Sequence, residues 1–536
     1  MNRTLSNFIL GIFLSLVFIN CANPGRPKGG PKDITPPKIE MSSPENYSTN
    51  FAGDEIEITF DEYIKIKGLK KQLIISPPMK WDPDITPLGS ASKVIKIKIN
   101  DTLEANTTYA FNFGNSITDN NEGNPYPYYR YVLSTGDYID SLSVKGQIID
   151  AVKTEPETFV SVALYEVDST FTDSIIYKQV PKYITNTLDS LTTFSIENIK
   201  AGKYMLMALK DGNGDNKFQQ KTDQIAFHNS FIEVPTDSLY TLKLFPEELD
   251  FKAVRPRLIS GEKIAFGYEG DYKDMKIKLT SEVPEEFTHR ITKDEKTDSL
   301  FYWYKPRLEV DSLLFTVSHP TFEKNFTARI SEQERDSLVI KASPTGSIDY
   351  DESFKISGST PFTTFDVTKI SIMDKDSTNV GFTTKFDSIT NTYDFDFNKT
   401  ADNSYKIQVL PEAFEGFFEN KNDTLNYSLR TKKESGSNLR IDLKNAVYPV
   451  IVQLTNKNGE VKLEQYVTEQ RLVDFINIEP GKYYLRVVFD TNGNKKYDTG
   501  SYLKGIQPER ISHLPSKNED DIRAGWDDVW IINLLD

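Results

Sequence analysis

The chain has 536 residues, and its 63 basic and 78 acidic side chains give a formal net charge of −15. At roughly 150 residues per domain, this length predicts three to five domains that can each bury a core. The acidic balance argues against nucleic acid as the main partner, because phosphate binding needs a surplus of lysine and arginine. Four histidines and one cysteine leave almost no ligands for zinc, haem, iron–sulfur or thiol chemistry.

The N-terminus has the pattern of a secretory signal peptide. A basic start at Arg3 precedes an apolar run over residues 8–19, which is too short to span a bilayer as a stable helix. We therefore predict a signal peptide over residues 1–20. The single cysteine of the sequence, Cys21, stands directly after it, where a signal peptidase would cut.

The residues around this cysteine, Phe18-Ile19-Asn20-Cys21, resemble the lipobox of bacterial lipoproteins. The resemblance implies acyl chains on the sulfur and on the amine of Cys21. The alternative is an ordinary signal peptide whose cysteine is discarded, but the placement of Cys21 and the lack of a second cysteine favour lipidation. Two or three acyl chains anchor a protein nearly permanently, because each buried methylene contributes about 0.8 kcal/mol.

Proline and glycine dominate residues 21–37 and predict a flexible tether between the lipid and the first domain. Four basic side chains between residues 26 and 38 suit either lipid headgroups or a solvated linker, and both interpretations stay open. Some surface-directed lipoproteins of Gram-negative bacteria carry acidic residues directly after the cysteine. Residues 22–26 carry none, so the predicted location is the outer membrane with its periplasmic and surface-exposed faces both open.

The rest of the chain has the pattern of an all-β protein. Apolar and polar residues alternate with a period of two in segments such as 55–60, 93–99 and 275–279. Turn-forming residues recur about every ten positions, which is typical of β-sandwiches. The best helical candidate is the single short segment 411–420, where three phenylalanines fall on one side.

A duplication is visible within this pattern. Residues 194–215 align without gaps on residues 473–494, sharing Asn-Ile-x-x-Gly-Lys-Tyr, an apolar strand and a loop rich in Asp, Asn and Gly. The segments that open each copy also correspond, as do residues 105–109 and 401–405 further upstream. The sequence therefore predicts a pair of successive sandwiches that is used twice, with one further β segment between the pairs.

The named resemblances agree with this organisation. Residues 36–46 and 58–64 are similar to the bacterial Ig-like domain first described in S-layer proteins, and the Gly-Lys-Tyr units look like the transthyretin or carboxypeptidase-regulatory-like sandwich. The whole arrangement resembles a family of Gram-negative outer-membrane lipoproteins with Ig-like domains. The predicted domains are a signal peptide at 1–20, a tether at 21–37, Ig-like sandwiches at 38–138 and 345–436, transthyretin-like sandwiches at 139–249 and 437–536, and a β domain at 250–344.

The family resemblance implies a non-catalytic scaffold or interaction subunit of an envelope complex, such as outer-membrane assembly or export machinery. Serial sandwiches are expected to form a stiff rod that contacts a barrel or other lipoproteins. The alternative function is a surface module that captures a glycan or peptide beside a nutrient importer. An enzyme is not expected, because the four histidines are scattered and none has a catalytic or metal-ligand spacing.

The two repeated loops are the best site candidates. They place oxygen-bearing side chains at every second residue, a spacing that can wrap a calcium ion. The alternative is a plain hairpin turn, which favours the same residue types. The candidate calcium ligands are Asp211, Asn213 and Asp215 in the first loop and Asp490, Asn492, Asn494 and Asp498 in the second, with Asp223 as a possible addition. No other cofactor is predicted.

Aromatic clusters offer a further candidate surface. Tyr126, Tyr128 and Tyr129 crowd a proline-rich strand, and residues 301–304 form a second cluster. Exposed rings can stack on sugars or anchor a protein partner, whereas strand alternation would bury half of each cluster in a sandwich core. Residues 526–532 are predicted to be a last core strand and no binding platform.

Overall fold

The structure is a computed structural model that describes residues 32–155, 157–188, 192–350, 352–431, 436–514 and 521–535. The predicted signal peptide, Cys21 and most of the predicted tether lie outside these residues. The described chain consists of 43 strands with three short helical segments, so the all-β prediction is confirmed. In this part of the chain no helix is long and apolar enough to cross a membrane.

The strands form five consecutive units, which we number 1 to 5. Unit 1 is a sandwich of two antiparallel sheets, one ordered β1-β2-β5-β4 with β7 paired to β2, the other ordered β3-β6-β8. Strand β2 alternates as predicted and buries Ile56, Ile58 and Phe60 between the sheets. Its elements are β1 (Ile39–Ser43), β2 (Glu55–Ile66), α1 (Leu69–Gln72), β3 (Ile74–Ser76), β4 (Asp84–Thr86), β5 (Ser92–Lys98), β6 (Thr108–Asn112), β7 (Ile117–Asp119) and β8 (Arg130–Ser134).

Unit 2 pairs the sheet β11-β10-β13-β14, with β15 joined to β13, against the sheet β12-β9-β16, in which β9 and β16 run parallel. Gly146 on β9 lies so close to β16 that an added Cβ would clash with the Tyr240 carbonyl, which explains a glycine inside this strand. Its elements are β9 (Leu142–Asp150), β10 (Ser161–Glu166), a 3-10 helix (Asp173–Tyr177), β11 (Tyr183–Asn186), β12 (Thr193–Ile199), β13 (Gly202–Lys210), β14 (Gln224–Phe227), β15 (Ile232–Val234) and β16 (Leu239–Leu244).

Unit 3 pairs the sheet β17-β19-β22-β21, with β18 joined to β19, against the sheet β20-β23-β24. Phe266, Phe315 and Tyr302 meet in its core, with ring centroids 5.0–6.3 Å apart. Its strands are β17 (Lys252–Ala253), β18 (Arg257–Ser260), β19 (Lys263–Glu269), β20 (Lys276–Leu279), β21 (Thr288–Lys293), β22 (Ser299–Lys305), β23 (Ser312–His319) and β24 (Phe322–Arg329).

Unit 4 is built from the sheets β25-β27-β31-β30, β26-β34-β32-β29 and β28-β33. Strand β25 falls in the predicted domain 250–344 but pairs with β27, so the predicted boundary at 344 is too late: the sheet of unit 4 already includes Ile340. Its elements are β25 (Ile340–Ser343), β26 (Gly346–Ile348), β27 (Phe354–Gly358), β28 (Phe362–Phe365), a 3-10 helix (Val367–Lys369), β29 (Ile370–Met373), β30 (Phe382–Asp387), β31 (Thr392–Phe397), β32 (Ser404–Val409), β33 (Phe414–Gly416) and β34 (Leu425–Thr431).

Unit 5 repeats the arrangement of unit 2, with the sheets β38-β35-β43 and β37-β36-β40-β41 and the short pair β39-β42. The first and last strands of each unit run parallel, β9 with β16 and β35 with β43. Its strands are β35 (Asn438–Lys444), β36 (Val450–Thr455), β37 (Val461–Val467), β38 (Val473–Phe475), β39 (Gly481–Lys482), β40 (Tyr484–Phe489), β41 (Ile511–His513), β42 (Asp521–Ile522) and β43 (Asp527–Asn533).

The duplication seen in the sequence is thus a duplication of topology. Units 1 and 4 share it too, since β1-β2-β5-β4 corresponds to β25-β27-β31-β30. Aligned side chains keep their contacts: Tyr109 Oη accepts a bond from the Glu104 amide at 2.9 Å, and Tyr405 Oη accepts one from the Thr400 amide at 2.8 Å. The predicted pairing of sandwiches is therefore visible at the level of single hydrogen bonds.

The predicted helix at residues 411–420 is wrong. Strand β33 lies there and pairs with β28, and Glu412 and Glu419 have φ values of 63° and 67°. Left-handed backbone at both ends excludes a right-handed helix across the segment. The three phenylalanines that suggested a helix instead lie on a short strand and the turn that follows it.

Candidate functional site

The loop that follows β13 is organised by Asp211. Its Oδ1 accepts bonds from the amides of Asn213 at 3.1 Å and Gly214 at 2.7 Å, and its Oδ2 accepts one from Asn216 at 2.7 Å. Gly214 and Asn216 have φ values of 78° and 57°, in the left-handed region that glycine and asparagine tolerate. The carboxylate of Asp211 therefore stabilises the turn by accepting hydrogen bonds from three of its backbone amides.

The loop that follows β40 has the same geometry around Asp490. This side chain is fully buried, and its carboxylate accepts bonds from the amides of Gly493 at 2.8 Å, Asn494 at 3.1 Å and Lys495 at 2.9 Å. The correspondence extends to the positive φ values of Gly493 and Lys495, 76° and 66°. The repeated Asp/Asn/Gly pattern thus encodes a repeated backbone turn.

A second acid closes each loop from the far side. Asp223 accepts bonds from the amides of Gly212 at 3.0 Å and Gln219 at 2.8 Å. In unit 5 Glu509 has this role, accepting from the amides of Thr491 at 2.8 Å and Asp498 at 3.0 Å. Glu509 is not among the predicted ligands, because the loop of unit 5 is longer and the acid falls outside the repeated spacing.

The exposed side chains of the loops contact one another. Asp215 accepts from Gln219 Nε2 at 2.9 Å, and Asp498 accepts from Asn492 Nδ2 at 2.5 Å and Asn494 Nδ2 at 2.6 Å. Among the described residues no group of three or more His, Cys, Asp or Glu side chains could hold a metal ion. The carboxylates of Asp211 and Asp490 bind amide donors, as in a plain turn, and calcium binding stays a prediction.

The extended loop of unit 5 reaches across to unit 2. Thr499 Oγ1 donates to the Pro246 carbonyl at 2.5 Å, and the Tyr502 amide donates to the Glu247 carboxylate. Gln507 Nε2 donates to the Phe227 carbonyl at 2.9 Å. Units 2 and 5 are therefore in direct contact although about half of the chain separates them. We call residues 499–507 the docking loop.

The centre of this contact is apolar. Tyr502 is 8% exposed, and its ring meets Phe227 edge-on with centroids 5.4 Å apart, while its hydroxyl lies 3.0 Å from Met205 Sδ. Gly500 passes so close to unit 2 that an added Cβ would lie 2.5 Å from Cζ and 2.7 Å from Cε2 of Phe245. The docking loop is thus fitted closely to the surface of unit 2.

Buried and exposed charges flank the contact. Burial raises the pKa of Glu247, although bonds from the Tyr502 amide and the Gln220 side chain oppose the shift. Lys496 Nζ lies 3.6 Å from Glu248 Oε1, and Gln220 Nε2 donates to the Glu248 carbonyl at 2.9 Å. Residues of both repeated loops therefore meet at Glu248.

This contact corrects the expectation of a stiff rod. A rod of serial sandwiches would keep units 2 and 5 apart, whereas the docking loop joins them and folds the chain back on itself. Strand patterns report on each unit separately, so they carry no information about such a contact.

Comparison with known proteins gives one family match. Residues 33–135 match the bacterial Ig-like domain. The match covers unit 1 and confirms the Ig-like sandwich that the sequence predicts there. No curated protein matches the chain by sequence.

Solved structures that match the chain share little sequence with it. The crystal structure of the S-layer protein rSbsC(31-844) is 12% identical, with a TM-score of 0.17, and the match covers 90% of this chain and 67% of that one. The titin domains I67–I69 are 13% identical, with a TM-score of 0.12 and coverage of 53% and 98%. The Bacteroides ovatus SGBP-B, solved with a mixed-linkage heptasaccharide, is 11% identical, with a TM-score of 0.17 and coverage of 62% and 85%.

The three tyrosines predicted as a binding surface do not share one exposed face of this Ig-like unit. Tyr129 is 8% exposed and stacks on Phe113, with centroids 6.0 Å apart. Tyr126 is partly buried and packs edge-on against Phe60 at 6.2 Å. Tyr128 alone of the three is largely exposed, at 44%, and one ring gives little area for stacking on a sugar.

The second aromatic cluster is buried on both faces of β22. Tyr302 and Tyr304 point into the core of unit 3, while Trp303 donates from Nε1 to Thr292 Oγ1 at 2.9 Å and packs beside Phe418 of unit 4 at 6.2 Å. Alternation predicts one exposed face here, and the neighbouring unit covers it. An open cavity of about 310 Å³ lies between units 3 and 4 and is lined in part by His289 and Ile389.

Proposed function

We propose that the protein is a non-catalytic scaffold subunit, held at the outer membrane by lipid on Cys21 and bound there to other envelope proteins. The lipobox-like sequence before Cys21 supports the anchor. The contact between units 2 and 5 carries the scaffold part of the proposal, because it holds together two sandwiches that are far apart in the chain. We call this linked arrangement of units a braced frame. A braced frame presents its loops and sheet edges in fixed positions, which suits a subunit that holds partners together.

The frame continues through the other junctions. Arg130 of unit 1 bonds Glu197 and Asn198 of unit 2, and Lys305 of unit 3 lies 3.1 Å from Glu419 of unit 4. Such contacts restrict the hinge motion that short linkers would otherwise allow. A partner surface assembled from several units would therefore need less ordering on binding.

The anchor is tested by fractionating cells that produce the wild-type chain or Cys21→Ser, with Ser6→Ala as a control in the same segment. We expect the wild type and the control in the outer-membrane fraction, with mass spectrometry showing acyl chains on an N-terminal Cys21. The Cys21→Ser variant should be absent from the outer-membrane fraction. An unmodified thiol, or a mature N-terminus beyond Cys21, would contradict the anchor.

The scaffold role is tested by isolating the protein from detergent-solubilised membranes with an antibody. We expect a barrel or another lipoprotein in stoichiometric amount, and we expect the Tyr502→Ala variant, which loosens the frame, to retain less of it. Recovery of the chain alone from gently solubilised membranes would argue against a scaffold subunit. Protease treatment of intact cells then determines which membrane face the units occupy.

A further inference from the structure

One edge of strand β43 is not paired with any strand of the described residues. In the sheet β38-β35-β43 the described strands pair with β43 on one side only. The Asn438 amide donates to the Trp526 carbonyl at 2.8 Å, and the Leu534 amide donates to the Lys444 carbonyl at 2.9 Å. Even-numbered residues of β43 therefore bond to β35, and the amides and carbonyls of Val529 and Ile531 point to the free edge.

The same odd-numbered residues carry exposed apolar side chains. Val529 is 60% exposed and Ile531 57%, and across the sheet Leu472 is 48% and Ile476 77% exposed. We call these four side chains the terminal face. The prediction that residues 526–532 form a buried core strand is thus wrong for one face of β43, on which alternation places apolar residues toward solvent.

The duplicated unit shows that the fold does not require an apolar surface here. When the gap-free alignment is extended by one residue, Leu472 and Ile476 correspond to Thr193 and Glu197 of unit 2. The parallel registers make Leu239 and Thr241 the counterparts of Val529 and Ile531. Glu197 forms an ion pair with Arg130 of unit 1, so this position in unit 2 is polar and has an intramolecular partner. Three of the four positions are therefore more apolar in unit 5, and the change is specific to this copy.

An exposed edge of this kind is unusual in a monomer. Edge strands are normally protected by lysine, proline or a bulge, because a free edge pairs with other chains. Residues 529–532 of β43 read Val-Trp-Ile-Ile and contain none of these protections. The acids Asp527 and Asp528 lie only at the start of the strand.

We propose that the β43 edges of two copies of this chain pair antiparallel around a two-fold axis at Trp530. In this register Val529 lies opposite Ile531 of the second copy, and Asp527 and Asp528 lie opposite Asn533 and Ile532. No acid faces an acid, which makes the edge complementary to itself. The outward amides and carbonyls of Val529 and Ile531 then form hydrogen-bonded pairs, and two three-stranded sheets become one of six strands.

The terminal face explains why pairing would be favourable. A two-fold axis perpendicular to the sheet keeps the exposed faces of both copies on one side. Val529 and Ile531 of each copy then lie side by side as one apolar patch, bordered in each copy by Arg440 and Asp442 of β35, with Leu472 and Ile476 one strand further away. Burying part of this surface adds to the hydrogen bonds of the paired edges. The proposal is independent of the lipid anchor, because it uses unit 5 alone.

The test measures the mass of the full chain in detergent by sedimentation over a range of concentrations. We expect the wild type at twice the mass that mass spectrometry gives for the mature single chain. The double variant Val529→Lys/Ile531→Lys places lysine opposite lysine and should raise the dissociation constant at least tenfold. The matched control Leu239→Lys/Thr241→Lys, at the equivalent edge of unit 2, should stay dimeric. A wild type that remains monomeric up to about 100 μM overturns the proposal, whatever other protein or lipid binds the face.

A cysteine pair fixes the register without charge changes. Opposed residues with paired backbone groups have Cα atoms about 5.5 Å apart, within the range of a disulfide. Val529→Cys/Ile531→Cys should therefore cross-link two chains on mild oxidation. Val529→Cys alone should not, because position 529 lies opposite position 531 of the second copy and the two cysteines are diagonal to each other, two residues apart. Equal cross-linking of the double and the single variant would overturn the register, and none in either would overturn the pairing.

Discussion

Glu262 in unit 3 is a buried carboxylate held by two arginines. Its side chain is 1% exposed, Arg307 Nε donates to Oε1 at 2.6 Å, and Arg335 Nε donates to Oε2 at 2.6 Å. Burial by itself raises the pKa of Glu262, but the two arginines together outweigh it and hold the pKa below the usual value of 4.5. The ionised form therefore stabilises the fold at neutral pH, because the folded state binds the proton less tightly than the unfolded state.

The variant Glu262→Gln should lower the free energy of unfolding of unit 3 by about 1.5–3 kcal/mol at pH 7, the range for hydrogen bonds to charged groups. The contribution of ionised Glu262 is present above pH 4.5 and is lost as the pH falls through its lowered folded pKa. The difference between the two proteins should therefore shrink in acid. Denaturant titrations at several pH values measure it, with Glu332→Gln, an exposed partner of Arg307, as the control.

The pKa of Glu247 is shifted in the opposite direction to that of Glu262. Burial raises its pKa above 4.5, so the folded state binds the proton more tightly and ionisation at neutral pH opposes the contact with the docking loop. Glu247→Gln keeps an oxygen acceptor for the Tyr502 amide. At pH 7 this variant should raise the temperature at which units 2 and 5 separate. The gain should vanish as the pH falls toward 4.5 and wild-type Glu247 is protonated. A gain that persists in acid, or an equal gain for the exposed Glu248→Gln, would contradict this account.

At the scale of elements, the two repeated loops show how a short pattern defines a turn. Each leading aspartate accepts three backbone amides, and each loop uses a residue of positive φ two positions after its glycine. Asp490→Ala removes the acceptor of three backbone amides and should destabilise unit 5 by about 1–3 kcal/mol. Asp215→Ala, at an exposed position in the other loop, should cost much less. Thermal unfolding of both variants in chelator makes the comparison.

The same variant decides the calcium prediction. If the loops bind calcium, the ion should raise the unfolding temperature of the wild type, since a ligand that binds only the folded state stabilises it. Asp490→Ala should abolish most of that rise, with the remainder due to the loop of unit 2. An unfolding temperature that is the same with calcium and with chelator would leave both loops as plain turns.

The whole molecule depends on the fit of the docking loop to unit 2. Gly500→Ala introduces a Cβ at 2.5 Å from the Phe245 ring and should force the loop away, which separates units 2 and 5. We expect a larger radius of gyration in small-angle scattering, with the cores of the separate units intact by circular dichroism. Gly381→Ala, where an added Cβ meets no atom within 4 Å, is the control. An unchanged radius for Gly500→Ala would mean that the frame does not depend on this contact.

Several features followed from the sequence because they are local. Alternation placed Ile56, Ile58 and Phe60 in the core, since side chains on a strand alternate between two faces. The gap-free repeat predicted that units 2 and 5 share a fold, and Asp211 and Asp490 open corresponding turns in them. The helix expected at residues 411–420 failed because phenylalanine spacing alone does not report the left-handed backbone at Glu412 and Glu419.

The sequence by itself determined the strand content, the duplicated sandwiches and the turns of the repeated loops, because each depends on residues close together in the chain. Only the tertiary structure decided which surfaces meet. It brought Tyr502 against Phe227, covered Trp303 with unit 4 and left Val529 and Ile531 exposed at an edge. Apolar residues alternate along a strand in the same way whether their side chains face the unit's own core, a distant unit or solvent. The difference depends on long-range packing, which the period of a strand does not contain.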